Sequence, residues 1–146
     1  MFVDASAIVA ILTGEPEADA LADELDAARS PITSPIAIFE AALGVCRKRH
    51  ASIGEAQRDV LEFLAIADVR IVAITATEAE AALDAFDRYG KSRGHPAQLN
   101  LGDCFGYAVA KSHRTSILFK GDDFNKTNIA SAGSPGGPEK LRRGAD

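Results

Sequence analysis

Few of the residues that build disulfides or zinc sites occur in this sequence. Its 146 residues include only two cysteines, Cys46 and Cys104, and three histidines. The cysteines fall in separate helical segments and lack the spacing of metal ligands, so we expect two small buried residues in a reducing compartment and no disulfide.

Long hydrophobic runs and a basic N-terminal segment are also missing. The apolar stretch 7–12 is too short to be a signal peptide or to span a bilayer. We therefore expect a cytoplasmic protein without a membrane segment. Its length fits one domain with its own hydrophobic core.

Positive charge is in deficit, with 16 Lys and Arg against 21 Asp and Glu and a net charge of −5, which is unexpected for a nucleic-acid binder. The basic residues are clustered, and the clusters either form solvated surface or together hold a phosphate backbone. They are Arg47, Lys48, Arg49 and His50; Arg88, Lys91, Arg93 and His95; and Lys111, His113, Arg114 and Lys120.

Periodicity and capping residues predict strands that alternate with helices. Ser34, Ser52 and Thr75 mark helix starts, the last two within capping boxes. The helices are predicted at 5–12, 17–28, 35–50, 53–67, 76–89 and 102–111, and the strands or extended segments at 1–3, 30–35, 69–74 and 116–119. This alternation predicts an α/β domain over residues 1–130, with a mostly parallel central sheet flanked by helices. Residues 131–146, rich in Gly, Pro and charge, are expected to form a flexible tail.

Carboxylates stand where apolar segments end. Asp4 follows the run 1–3, and Asp122 and Asp123 follow the run 117–119. A carboxylate at the C-terminal end of a parallel strand faces the crevice where α/β sheets bind ligands.

Two further carboxylates lie on helical segments. Glu40 is at the edge of a predicted apolar stripe, and Asp103 shares a face with small residues that permit close approach. The stripe consists of Ile36, Phe39, Leu43 and Cys46, and the face of Asp103 includes Gly106, Tyr107 and Ala110.

Each acid alone also has an ordinary structural explanation. Asp4 could cap a helix, Glu40 could pair with an arginine, and Asp122 could be a turn residue. Held together in a crevice, however, like charges repel unless a cation or a proton compensates. Oxygen ligands without His or Cys select hard cations such as Mg²⁺ or Mn²⁺, so the sequence predicts a divalent-metal site.

Four segments in a fixed order carry a family resemblance: Asp4-Ala5-Ser6-Ala7, Glu40, Asn100 to Phe105, and Leu118 to Phe124. Together they resemble the signature of the PIN-domain ribonucleases and, more narrowly, of the VapC-type toxins of bacterial toxin–antitoxin pairs. The resemblance covers about residues 1–130. It implies a metal-dependent endoribonuclease that acts as a toxin and hydrolyses RNA phosphodiester bonds.

The resemblance also implies a role for each acid. Asp4, Glu40 and Asp103 would form the core of a cage for Mg²⁺ or Mn²⁺. Asp123 matches the fourth position best, with Asp122 as its replacement or support.

Three other residues have a functional and a structural interpretation. Ser6 would orient Asp4 or a metal-bound water, or else cap a helix. Asn100 would position Asp103, or else shape a turn. Lys120 is a candidate phosphate contact, or else a charge partner of Asp122.

Partners follow from the resemblance alone: an RNA substrate, a cognate antitoxin protein and a second copy of the chain in a homodimer. The apolar residues near the N-terminus are compatible with a dimer interface and equally with packing on the sheet. They are Ala18, Leu21, Ala22 and Leu25.

Two other functions compete. A receiver-like phosphorylation module needs an adjacent acidic pair after its first strand and an Asp after its third, whereas this chain offers only Asp4 and no such mid-chain Asp. A catalytically inactive PIN-like scaffold would usually lack at least one acid, and here the set is full.

Overall fold

The computed structural model describes residues 1–129, so the tail expected at 131–146 lies outside the described residues. Its helices are α1 (Ala5–Leu12), α2 (Ala18–Asp26), α3 (Pro35–Arg49), α4 (Ile53–Ile66), α5 (Ala76–Tyr89) and α6 (Leu101–Ser112). The strands are β1 (Phe2–Val3), β2 (Ile32–Thr33), β3 (Arg70–Ile71) and β4 (Ile117–Leu118), and a short 3₁₀ helix follows at Asp123–Lys126.

The four strands form one sheet in the order β3-β2-β1-β4, and every pairing is parallel. The predicted α/β fold with a parallel central sheet is therefore confirmed. Phe2 of β1 lies opposite both Ile32 of β2 and Ile117 of β4. Because β1 and β4 are neighbours, the residues that follow them meet at the same edge of the sheet.

Successive strand residues point into two separate cores. Phe2 and Ile117 belong to the core that also contains the buried faces of α5 and α6, whereas Val3 and Leu118 belong to the core formed with α1 to α4. This alternation is the period of two that a strand imposes on its side chains. The sheet is consequently covered on both faces, as a parallel sheet requires.

Capping residues set the helix starts, as predicted. The Ser34 hydroxyl accepts from the backbone N–H of Ala37 at 3.2 Å, and the Ser52 hydroxyl accepts from that of Glu55 at 3.1 Å. Thr75 and Glu78 form a capping box at the start of α5. These contacts satisfy backbone donors that the first helical turn leaves unpaired.

The prediction that the apolar stripe of α3 forms its buried face is wrong. Phe39 is 65% exposed, and the buried face of α3 carries small residues instead. The physical reason is the close approach of α1, because a Cβ added at Gly44 would lie 2.7 Å from a methyl group of Val9. The buried residues of α3 are Ala37, Ala41, Ala42, Gly44 and Val45.

The apolar residues of α2 pack within the chain. Leu21 and Leu25 of α2 are buried in the core of their own chain, which favours sheet packing over a dimer interface for these two residues.

Both cysteines are free, as expected, with Cys104 buried and Cys46 partly buried. Along residues 1–129, no helix is long and apolar enough to cross a membrane.

Candidate active site

Asp4 directly follows β1 and is the N-cap of α1. Its backbone N–H donates to the Leu118 carbonyl of β4 at 3.0 Å, and its carboxylate Oδ2 accepts from the backbone N–H of Ser6 at 3.0 Å, which makes Asp4 the cap of α1. The residue is only 9% exposed. The capping role and a functional role are therefore compatible, because the cap engages one carboxylate oxygen and Oδ1 lies towards Gly106.

The Ser6 side chain also hydrogen-bonds to the Asp4 carboxylate. Its hydroxyl donates to Oδ2 of Asp4 at 2.6 Å and accepts from the backbone N–H of Lys120 at 3.0 Å. Ser6 lies within α1, so the alternative that it caps the helix does not hold. The contacts fit the interpretation that Ser6 orients Asp4.

Asn100 and Asp103 fix each other at the start of α6. The Asn100 side chain accepts from the backbone N–H of Asp103 at 2.9 Å, and Asp103 Oδ2 accepts from the backbone N–H of Asn100 at 3.1 Å. This reciprocal capping box shapes the turn and positions the acid at the same time, so both interpretations of Asn100 describe one arrangement.

Glu40 projects from α3 towards the first turn of α6. A Cβ added at Gly102 would overlap the carboxylate of Glu40, so the glycine allows this carboxylate to lie against the backbone of α6. Glu40 is half-buried.

The three acids line one open pocket of about 360 Å³. The structure thus brings Asp4, Glu40 and Asp103 together in one pocket. Its remaining lining residues are Ala5, Ser6, Val9, Glu15, Gly44, Arg47, Lys48, Asn100 and Lys120.

The two remaining acids lie outside this lining. Asp122 and Asp123 are exposed, and Asp123 begins the 3₁₀ helix. Of the two, only Asp123 contributes to the raised pKa of Asp103. Within the described part of the chain, no three His, Cys, Asp or Glu side chains are arranged as a group that could hold a metal ion.

Burial raises the pKa values of Asp4, Glu40 and Asp103, and repulsion from neighbouring carboxylates adds to the effect for Glu40 and Asp103. Desolvation raises the pKa of Asp4, against the opposing hydrogen bonds from Ser6. Desolvation and the nearby Asp4 raise the pKa of Glu40. The pKa of Asp103 is raised to about 7, mainly by burial and further by the charges of Asp4, Asp123 and Glu40. The pocket therefore favours a proton or a cation among its carboxylates.

Comparison with known proteins places this geometry in a family. The PIN domain family matches residues 1–130. The chain belongs to the PIN-domain family.

Relatives refine the placement of this PIN-domain protein. It is 42% identical to a VapC ribonuclease of Rhizobium meliloti, over 88% of this chain and 98% of the relative. It is 40% identical to ribonuclease VapC30 of Mycobacterium tuberculosis, over 92% and 100% of the two chains. It is also 43% identical to ribonuclease VapC of Mycolicibacterium smegmatis, over 90% and 98%. The predicted VapC-type resemblance is confirmed.

Lys120 of this PIN-domain protein has different partners from those expected. Its Nζ pairs with Glu15 at 2.8 Å and with Glu17 at 3.5 Å, instead of with Asp122. Sequence reasoning missed Glu15, because an acid between Gly14 and Pro16 has the composition of an ordinary turn. Its partner lies 105 residues away along the chain, a separation that no local pattern reveals.

The raised pKa of Asp103 predicts how metal-free stability depends on pH. Since folding raises this pKa from 3.8 to about 7, the ionised carboxylate opposes folding above pH 7, and the penalty fades as pH falls towards 4. Asp103→Asn should therefore raise the melting temperature of the metal-free protein by a few degrees at pH 8. That shift corresponds to about 1 kcal/mol after a discount for solvent screening. The difference in melting temperature between Asp103→Asn and the wild type should shrink steadily towards pH 4.

Thermal denaturation in EDTA across this pH range measures the effect. Asp84→Asn, an exposed change on α5, is the matched control and should leave the curve unchanged. A loss of stability in Asp103→Asn at pH 8 would instead mean that the charged capping contact to Asn100 stabilises the fold.

Proposed function

We propose that this PIN-domain protein is a Mg²⁺- or Mn²⁺-dependent endoribonuclease that hydrolyses RNA phosphodiester bonds as the toxin of a toxin–antitoxin pair. The observation that carries the proposal is the convergence of Asp4, Glu40 and Asp103 in one pocket. Support comes from the relatives of about 40% identity, which are named VapC ribonucleases.

The chemistry of the pocket fits a hard divalent cation. Its acidic donors are carboxylate oxygens, and the pKa of Asp103 is raised by burial and by neighbouring negative charges, which a cation would offset. We assign the ion to Asp4, Glu40 and Asp103, which share the pocket but are not arranged as a ligand group in this structure, so their side chains would draw together as the ion binds. Asp123 is assigned as the fourth acid, with Asp122 as its replacement or support. When bound, such an ion supplies an activated water and neutralises charge at phosphorus.

The protein's own residues hold the acids in place. The Ser6 hydroxyl donates to the carboxylate of Asp4, and the backbone N–H of Asn100 donates to that of Asp103. These contacts restrict the carboxylates before any ligand binds, which reduces the reorganisation that binding and reaction would otherwise require. The charge of Asp4 also adds to burial in raising the pKa of Glu40, so a cation between them would favour the ionised Glu40.

The proposal includes three expectations from the sequence. A cognate antitoxin would block the acidic pocket, the protein would act in the cytoplasm, and it would form a homodimer. Because Leu21 and Leu25 are buried within one chain, a dimer would use other surfaces.

The alternatives are not favoured. A receiver-like module would need two acids after β1, where only Asp4 stands, and an Asp after β3, where Val72 and Ala73 follow. An inactive scaffold has no need for three half-buried or buried acids that repel one another.

RNA cleavage is the direct test. Protein purified free of antitoxin should cleave total cellular RNA with added Mg²⁺ or Mn²⁺, stop in excess EDTA, and resume when Mn²⁺ is returned, as followed on gels. Expression without a partner should also arrest growth. Cleavage that resists EDTA would contradict the metal dependence. Intact RNA together with unaffected growth would overturn the nuclease proposal and favour the scaffold.

A further inference from the structure

Glu15 joins two cations from distant parts of the chain. It lies in the turn between α1 and α2, where its backbone N–H donates to the Ala10 carbonyl at 3.0 Å. Its Oε1 contacts Nζ of Lys48, and its Oε2 accepts from Nζ of Lys120 at 2.8 Å. The Glu15 side chain is only 11% exposed, so this carboxylate depends on its two partners for the interactions that water would otherwise supply.

This ion-pair cluster is attached to the acidic pocket. Lys120 donates its backbone N–H to the Ser6 hydroxyl, and the same hydroxyl donates to Asp4. Glu15, Lys48 and Lys120 all line the pocket that contains the three acids. A continuous series of contacts therefore connects Asp4 to both lysines.

The lysines remain accessible despite their pairing. Their side chains are 48% exposed for Lys48 and 39% exposed for Lys120. An ammonium group has three donors, so each lysine keeps donors that its contacts with glutamate do not use. With Arg47 in the same lining, the pocket combines a cationic side with its acids. This combination suits a phosphodiester, whose charge the acids alone would repel.

We propose that Glu15 is a positioning residue that holds Lys48 and Lys120 where they bind a phosphate of the RNA strand next to the scissile bond. The inference rests on the proposed ribonuclease function. Without the Glu15 carboxylate, Lys48 regains the rotamer freedom of a long exposed side chain, and Lys120 keeps only its 3.5 Å contact with Glu17. The lost order must then be restored each time a phosphate binds. With Glu15 present, most of that ordering is complete before RNA arrives.

Glu15→Gln tests the proposal because it keeps the shape of the side chain and removes its charge. With a fluorescent RNA oligonucleotide and saturating Mn²⁺, we expect KM to rise about fivefold to tenfold and kcat to stay within about twofold. Lys48→Met and Lys120→Met should each raise KM as well, and these exposed changes test the cluster even if Glu15→Gln folds poorly.

Two controls separate positioning from general effects. Asp59→Asn removes one negative charge from an exposed ion pair with Arg49 outside the pocket lining, and its KM should match that of the wild type. Combining Glu15→Gln with both lysine variants should leave KM at the value of the double lysine variant, because Glu15 would have no side chain left to position.

The outcomes are distinct. An unchanged or lowered KM in Glu15→Gln would mean that the carboxylate only neutralises the lysines, and would overturn the inference while wild-type cleavage upheld the proposed function. A further rise in KM on the double lysine background would show a structural role and would also overturn it. A wild-type protein that cleaves no RNA would overturn both proposals.

Discussion

Asp4→Asn is expected to reduce RNA cleavage by about a hundredfold or more while the protein stays folded. An ion held by the assigned acids would supply several kcal/mol of transition-state stabilisation, and Asp4 is the most buried of the three acids. Asparagine keeps an oxygen that can accept from the backbone N–H of Ser6, so the cap of α1 should persist. Initial rates on a fluorescent RNA oligonucleotide measure the loss.

Metal affinity gives this prediction an independent readout. Calorimetric titration of the EDTA-treated protein with Mn²⁺ should show weaker binding in Asp4→Asn than in the wild type. Asp84→Asn on α5 removes the same charge from an exposed position and should change neither the rate nor the affinity. If Asp4→Asn bound Mn²⁺ and cleaved RNA like the wild type, Asp4 would be a helix cap and nothing more.

The elements of the fold were predictable because local chemistry sets their boundaries. Ser34, Ser52 and Thr75 satisfy the first backbone donors of their helices through contacts at most three residues away, which the sequence displays directly. The order of strands and helices then leaves few arrangements other than a parallel sheet with covered faces. Strand lengths were less predictable, and β3 spans Arg70–Ile71 instead of 69–74.

The packing of α3 could not be inferred from hydrophobicity alone. The sequence pattern favoured Phe39 as a core residue, whereas the tight contact between Gly44 and Val9 selects small side chains for the buried face. Which face is buried depends on the distance between two helices, and that distance is a tertiary property.

The acids of the candidate site were predictable, but their surroundings were not. Asp4 and Asp103 are recognisable from element ends and neighbouring capping residues. The contacts between Glu15 and Lys120, and between Gly102 and Glu40, join residues more than 60 positions apart. Only the folded chain displays these long-range contacts, and they provide the sharpest tests of the site.

Gly102→Ala is expected to reduce RNA cleavage by about tenfold or more without destabilising the protein. The added methyl group would overlap the Glu40 carboxylate, which is the flexible end of a long side chain and can swing away. Alanine also favours a helix over glycine by up to about 1 kcal/mol, so the melting temperature should hold or rise. Activity and stability should thus change in opposite directions. Steady-state rates and thermal denaturation measure the two effects.

Gly54→Ala on α4 is the matched control, because a Cβ there meets nothing within 4 Å. It should bring the same gain in helix stability with unchanged cleavage. A double variant that combines Gly102→Ala with Glu40→Gln should be no less active than Glu40→Gln alone, since the glycine acts through the displaced carboxylate. Additive losses would mean that residue 102 contributes by another route, such as direct contact with RNA. Full activity in Gly102→Ala would show that cleavage does not require the position that the Glu40 carboxylate occupies against α6.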